Sequence, residues 1–103
     1  MDTNQPTFSD YEIKDTVISS TSYLKQSDAI EVKSTITHTD TSHIWADVSM
    51  ITGNPDHTAE LCSSPSSGIT CTLSSDIVTY SFTASGTLSD GGKQVAIKAQ
   101  NTS

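Results

Sequence analysis

Hydrophobic and polar residues alternate with a period of two along much of this 103-residue chain. The longest run covers residues 30–38, where one set of alternate positions is mostly aliphatic and the other is charged or hydroxylic. Successive side chains of a β-strand point to opposite faces, so the pattern predicts a strand with one buried face. The positions that we expect on that face are Ile30, Val32, Ser34, Ile36 and His38.

Three later segments show the same alternation. The sets expected to face the core are Ile44, Ala46, Val48 and Met50, then Val78, Tyr80, Phe82 and Ala84, then Val95, Ile97 and Ala99. A further strand is predicted over residues 17–24, and two short strands over residues 59–62 and 69–73. Breakers separate these segments, among them residues 53–56, while residues 89–93 have the glycine chemistry of a hairpin turn.

Helical spacing of apolar residues is absent, and the aliphatic residues are mostly β-branched, with nine Ile and five Val against four Leu. The length suits one domain. We therefore predict an all-β fold of about seven strands, in which two antiparallel sheets bury their alternating faces against each other. Residues 1–14 are interpreted as a linker or a loosely attached first strand, and residues 15–103 as the sandwich domain.

Acidic residues outnumber basic ones by 12 to 5, which gives a formal net charge of −7. Nucleic-acid binding needs clustered cations, so we expect no nucleic-acid partner. No apolar run reaches the length of a membrane span, so we expect no membrane insertion.

Cys62 and Cys71 are the only two cysteines, and they enclose a turn-rich segment. In a Ser- and Thr-rich acidic chain they favour a disulfide and an oxidising compartment: extracellular, cell-surface or periplasmic. Two reduced, buried thiols are the alternative. The pair lacks the spacing and the second ligand pair of a zinc site.

No motif in the sequence marks a catalytic site, so we expect a protein that is not an enzyme and that needs no cofactor. His38, His43 and His57 are the only candidates for a general base at neutral pH, and no GxSxG nucleophile elbow occurs. Acidic residues near predicted strand ends raise the alternative of a calcium ion, but the spacing of a calcium loop is absent.

Trp45 is the single tryptophan and the candidate interaction residue. If Ile44, Ala46 and Val48 face the core, then Trp45 faces outward, where an indole can stack on a sugar or anchor a protein. In the alternative interpretation Trp45 belongs to the core, as tryptophans on the third strand of sandwiches often do.

The order of segments from Asp15 to Ala99 resembles immunoglobulin-like β-sandwich modules of prokaryotic exported and cell-surface multidomain proteins. The segments that carry the resemblance are Asp15-Thr16-Val17, Tyr23-Leu24-Lys25-Gln26-Ser27-Asp28, Ile30-Glu31-Val32, Ile44-Trp45-Ala46-Asp47-Val48-Ser49 and Gly92-Lys93-Gln94-Val95-Ala96-Ile97-Lys98-Ala99. The resemblance implies an immunoglobulin-like architecture and carries no catalytic residues. Trp45 precedes both cysteines, which argues against an antibody-type inter-sheet disulfide.

The sequence thus predicts a non-catalytic immunoglobulin-like module that acts as a structural spacer or as a domain for protein–protein contact and adhesion. The expected partners are other domains of a parent protein or surface proteins, with a monomer as the isolated state. Carbohydrate binding through Trp45 is the alternative. A third interpretation is a subunit that assembles by pairing of edge strands.

Overall fold

A computed structural model of the chain describes residues 5–88 and 91–101. Over these residues the chain forms seven strands and one short α-helix, which confirms the predicted all-β sandwich. The strands are Phe8–Asp15 (β1), Ala29–Ile36 (β2), Ile44–Asp47 (β3), Glu60–Leu61 (β4), Thr70–Ser74 (β5), Ile77–Thr83 (β6) and Ala96–Ala99 (β7), and the helix is Ser49–Thr52 (α1). One sheet has the order β1-β2-β6-β5 and the other β4-β3-β7, and every pair is antiparallel.

The predicted alternation holds in the inner strands of the four-stranded sheet. Val32 of β2 lies opposite Tyr80 of β6, and both side chains are fully buried. The predicted buried sets of these strands lie in one core: Ile30, Val32, Ser34, Ile36, Val78, Tyr80, Phe82 and Ala84. His38 is exposed beyond the end of β2, because its backbone takes a positive φ of 60° and leaves the strand.

In the three-stranded sheet β3 is the central strand, and Ile44 and Ala46 face the core. The prediction that Met50 continues this buried set is wrong, because β3 ends at Asp47 and α1 follows. In α1 the next residue, Ile51, is buried, and Met50 is 52% exposed.

Tyr80 links the two sheets through a hydrogen bond. Its hydroxyl donates to the carbonyl of Glu60 on β4 at 2.7 Å. The residue is fully buried, and burial together with the nearby Glu60 carboxylate raises the pKa of its phenol far above the ordinary value. The side chain therefore stays a neutral donor inside the core.

Strand β1 crosses the predicted boundary between residues 14 and 15 and forms an edge of the four-stranded sheet. A bulge between Ser9 and Glu12 contains Asp10, whose φ is 55°. The extra residue shifts the alternation by one position, so Phe8 and Ile13 lie on the same face although they are five positions apart. Phe8 is opposite buried Ile36, and Ile13 is opposite buried Val32.

The strand predicted over residues 17–24 is wrong. Residues 16–19 form a turn that is closed by the bridge between Asp15 and Ser20. The carboxylate of Asp15 accepts hydrogen bonds from the N–H groups of Val17 and Ile18, and these donors are then unavailable to a sheet.

The predicted hairpin turn over residues 89–93 falls partly outside the described residues, since Ser89 and Asp90 are not among them. Strand β6 before it and strand β7 after it belong to different sheets. The connection therefore crosses from one sheet to the other.

Candidate functional site

Trp45 lies on the outer face of the three-stranded sheet. Its neighbours Ile44 and Ala46 are buried in the core, whereas Trp45 is partly exposed. The residues opposite it are Leu61 on β4 and Lys98 on β7. The indole therefore follows the outward half of the alternation.

A shallow groove of about 420 Å³ lies along this outer face. It is lined by Trp45, Ala46, Asp47, Thr58, Ala59, Ala96, Lys98 and Gln100. The groove combines an aromatic ring with an ammonium, a carboxylate and an amide, which is a set able to stack on a sugar ring and bond its hydroxyls. One oxygen of Asp47 already accepts hydrogen bonds from the N–H and the hydroxyl of Ser49.

A second region lies between the outer strand β1 of one sheet and the outer strand β7 of the other, where Tyr11 of β1 contacts Val95, the residue before β7. We call it the β1–β7 flank and define it by the core-facing residues Phe8, Tyr11, Ile13, Val95, Ile97 and Ala99. The hydroxyl of Tyr11 bridges the flank: it donates to the carbonyl of Val95 at 3.0 Å and accepts from the N–H of the same residue at 3.2 Å. One side chain therefore occupies both backbone groups of Val95.

A larger hollow of about 660 Å³ adjoins one end of the flank. Its walls include Ile13 of β1, Leu24, Leu88 and Lys93. Tyr11 lies beside Val95, and Ile13 lines the same hollow as Lys93, so β1 and the segment leading into β7 run in opposite directions.

Two carboxyl groups meet at the end of β1. Asp15 is fully buried, and its carboxylate accepts N–H bonds from Val17, Ile18 and Lys25. Burial works to raise the pKa of Asp15, but the bond from Lys25, the contact with the Asp28 carboxyl and the two other N–H bonds together lower it. Burial, then the hydrogen bond and repulsion from Asp15, raises the pKa of Asp28. The interaction between the two carboxyl groups therefore shifts their pKa values in opposite directions, lower for Asp15 and higher for Asp28.

His43 and His57 each contact a different polar side chain. His43 bonds Asp40 through Nδ1 at 2.7 Å, and this hydrogen bond is the main reason that the pKa of Asp40 is lowered. His57 contacts the hydroxyl of Thr52 at 2.9 Å. Among residues 5–88 and 91–101, no group of three or more His, Cys, Asp or Glu side chains is placed to hold a metal ion.

Cys62 and Cys71 form the predicted disulfide. Cys62 follows β4, and its backbone N–H donates a hydrogen bond to the carbonyl of Ile44 on β3. Cys71 lies on β5. The bond therefore joins the two sheets, and it does so at the β4–β5 edge. The order of Trp45 and the cysteines argued only against an antibody-type bond, and this disulfide between the end of β4 and β5 is compatible with that order.

Sequence reasoning found Trp45 and the cysteines but missed the β1–β7 flank and the pair of carboxyl groups. A signal for the flank exists in the spacing of Phe8, Tyr11 and Ile13, which becomes an alternation once Asp10 is counted as a bulge. No comparable local signal marks Asp28, whose partner lies 13 positions away in the sequence.

Comparison of the chain with protein-family models, with curated proteins and with solved structures finds no match. In the part of the chain that the structure describes, no helix has the length and apolar character needed to cross a membrane.

Proposed function

We propose that this chain is a non-catalytic immunoglobulin-like module of an exported or cell-surface protein, where it serves as a spacer and a protein-contact domain. The observation that carries the proposal is the disulfide between Cys62 and Cys71, which ties one sheet to the other. Disulfides persist in oxidising compartments and are rare in the cytosol. A covalent tie between sheets also suits a domain that bears tension.

The strand order supports the immunoglobulin-like part of the proposal. In that plan the first, second, fifth and fourth strands make the sheet A-B-E-D, and C and F lie adjacent in the other sheet. The order β1-β2-β6-β5 follows A-B-E-D if β4 is counted as the additional strand C′. Strands β3 and β7 then take the places of C and F.

Mechanical unfolding of a tandem array tests the spacer role. Under force each module should rupture in one cooperative step, since the sheets share one core. The disulfide spans 9 residues of sequence, so reductant should lengthen the released chain by about 30 Å per module. Gradual extension without a rupture would reject the spacer role.

Export is tested by thiol trapping of the chain in the periplasm and in the cytosol of a bacterial host. We expect Cys62 and Cys71 to be oxidised in the periplasm and reduced in the cytosol, with the reduced chain more sensitive to protease. Equal protease resistance of the two forms would remove the compartment argument.

Carbohydrate binding is the second candidate function. The specific observation that favours it is the groove on the outer sheet face, in which Trp45 lies beside Lys98. Because the chain has one tryptophan, its fluorescence reports this groove alone.

Titration with soluble neutral and acidic polysaccharides tests this candidate. Binding should shift the Trp45 emission, and Trp45→Ala should abolish retention in an affinity gel that contains the same polysaccharide. Tyr23→Ala is the control, since Tyr23 is 76% exposed and lies outside the groove. Equal retention of the Trp45→Ala variant would exclude the groove as the binding site.

A further inference from the structure

We propose that the outer edge of β7 accepts an extended segment of a partner polypeptide as an additional strand of the three-stranded sheet. The inference rests on the proposed function, because it names the kind of partner that the module contacts. The partner segment has apolar side chains at alternate positions and an acidic side chain on its outward face.

In the described part of the chain, one edge of β7 has no neighbouring strand. The N–H of Gln100 donates to the carbonyl of His43 at 2.9 Å, and the register pairs Lys98 with Trp45. In an antiparallel pair alternate residues direct their backbone groups toward the neighbouring strand, so Val95, Ile97 and Ala99 direct theirs away from β3. Within residues 5–88 and 91–101, no strand pairs with that side of β7.

At one position of this edge, Tyr11 makes the hydrogen bonds that a neighbouring strand would make. Its hydroxyl acts as both donor and acceptor toward Val95, which is the pair of bonds that a neighbouring strand makes. No such group reaches Ile97 or Ala99 from the described part of the chain. Unsatisfied backbone groups at an edge are a template for pairing with another chain.

The core-facing side chains beside this edge are incompletely covered. Phe8 is 49% and Tyr11 is 51% exposed, although both lie on the inner face of β1. Ile30, on the inner face of the adjacent strand β2, is 1% exposed. Because the Tyr11 hydroxyl reaches the edge at Val95, we infer that a strand added beside β7 would pack against the inner face of β1 and bury apolar surface of Tyr11 and Phe8.

The geometry also sets the chemistry of the partner segment. Its inward positions would lie beside Ile97 and Ala99, which pack against the core, so we expect them to be apolar. Its outward positions lie beside Lys98, the only charged residue of β7, so an acidic side chain there forms a cross-strand ion pair. The hollow beside Ile13 and Lys93 leaves room for the end of the segment.

Synthetic peptides of about eight residues, the length of a common strand, provide the probe. In the test peptide Val alternates with Thr, and one central Thr is replaced by Glu. In the control peptide of the same composition the Val residues are contiguous. We expect the alternating peptide to bind the full chain in calorimetry and the control peptide to bind at least about tenfold more weakly, since it cannot place all its Val side chains on one face.

Backbone methylation separates strand addition from general hydrophobic binding. If the peptide pairs antiparallel to β7, then N-methylation of its Val residues should abolish binding, and N-methylation of its Thr residues should leave binding unchanged. If only N-methylation of the Thr residues abolishes binding, the result also supports docking at the edge, because the Thr N–H groups point toward β7 when the peptide pairs parallel to it. Equal effects of the two sets would overturn the proposal.

Variants of the chain locate the peptide. Phe8→Ser should weaken binding by about tenfold or more, because a large apolar contact is lost. Ile77→Ser is the matched control. Ile77 is 44% exposed, but it lies beside Thr35 on the outer face of the four-stranded sheet, whereas Phe8 lies on the inner face of that sheet. Tyr11→Phe should tighten binding about two- to tenfold, because the peptide no longer displaces a hydroxyl from Val95.

A second copy of the chain is the competing occupant. Sedimentation of the chain without peptide distinguishes it, since a dimer that Phe8→Ser dissociates would assign the edge to self-pairing and overturn the proposal of a foreign segment. Absence of binding by every alternating peptide would likewise overturn it. Neither result changes the outcome of the force measurement, so failure of the docking inference and failure of the module function are distinguishable.

Discussion

At the scale of single residues, the carboxyl pair of Asp15 and Asp28 couples stability to pH. The pKa of Asp15 is lowered, so its contribution is present above the ordinary value of 3.8 and is lost as pH falls through the lowered pKa. The pKa of Asp28 is raised, so its contribution is present below 3.8 and is lost as pH rises through the raised pKa. Oδ2 of Asp28 is buried without a hydrogen-bond partner among the described residues.

Asp28→Asn should remove the loss of folding stability that ionisation of Asp28 causes as pH rises. The amide can donate a hydrogen bond to Asp15 but cannot ionise, so the variant avoids two adjacent buried charges. We expect its urea midpoint to exceed that of the parent chain at neutral pH, with the gap closing as pH falls toward 4. A gap that is independent of pH between 3 and 8 would contradict the raised pKa of Asp28.

Tyr80→Phe should lower the free energy of unfolding by about 1–2 kcal/mol, because the buried carbonyl of Glu60 loses its donor. Urea denaturation followed by circular dichroism measures this change. The control is Tyr23→Phe at an exposed position, which should leave stability within about 0.5 kcal/mol. Equal effects of the two variants would show that the cross-sheet hydrogen bond contributes nothing.

At the scale of elements, the β5–β6 hairpin turns through Ser75 and Asp76, which both have positive φ, at 50° and 65°. Two positive φ values define the turn that matches the twist of a hairpin, but side chains other than Gly are strained there. Neither residue is Gly, so a turn of this kind is difficult to identify from sequence.

Asp76→Gly should raise the free energy of unfolding by about 1 kcal/mol, since glycine adopts this conformation without strain. Asp76→Ala removes the same carboxylate and keeps a Cβ, so it should lower stability instead. Thermal unfolding of both variants measures the difference. If both variants shift the midpoint in the same direction, the charge of Asp76 is responsible and the backbone is not.

The inner strands were predictable because each buries one face completely. Strands β2 and β6 have strict alternation and full burial on the inner side. The segment at Val17 and Ile18 has the residue types of a strand, yet Asp15 binds its N–H groups and closes a turn. Local composition did not reveal this competition between a side chain and a sheet.

At the scale of the whole molecule, the alternation predicts two facing layers but does not assign a strand to a layer. Short strands β4 and β5 were both predicted, and they lie in different sheets. Local alternation offered the outward position of Trp45 as one of two interpretations, and the side chain lies on the outer face of its sheet. The β1–β7 flank did not follow from local alternation, because it depends on which two strands become the edges of the two sheets.

Reduction of the disulfide should lower the free energy of unfolding by about 2–3 kcal/mol, the value for closing a short loop. Guanidinium denaturation with and without reductant measures this, and the double variant Cys62→Ala/Cys71→Ala should be insensitive to reductant. Equal midpoints for the oxidised and reduced chain would show that the inter-sheet bond is not stabilising.

The placement of the disulfide should make separation of the two sheets easier on one side of the sandwich than on the other. Packing in the shared core opposes separation of the sheets on both sides. The β4–β5 side adds a covalent bond, whereas the β1–β7 side adds the two hydrogen bonds of the Tyr11 hydroxyl. Amide hydrogens should therefore exchange with deuterium in a gradient across the molecule, slowest near Cys62 and fastest near Val95. Fluctuations of the native state should then separate the sheets at the β1–β7 flank while the opposite side stays closed.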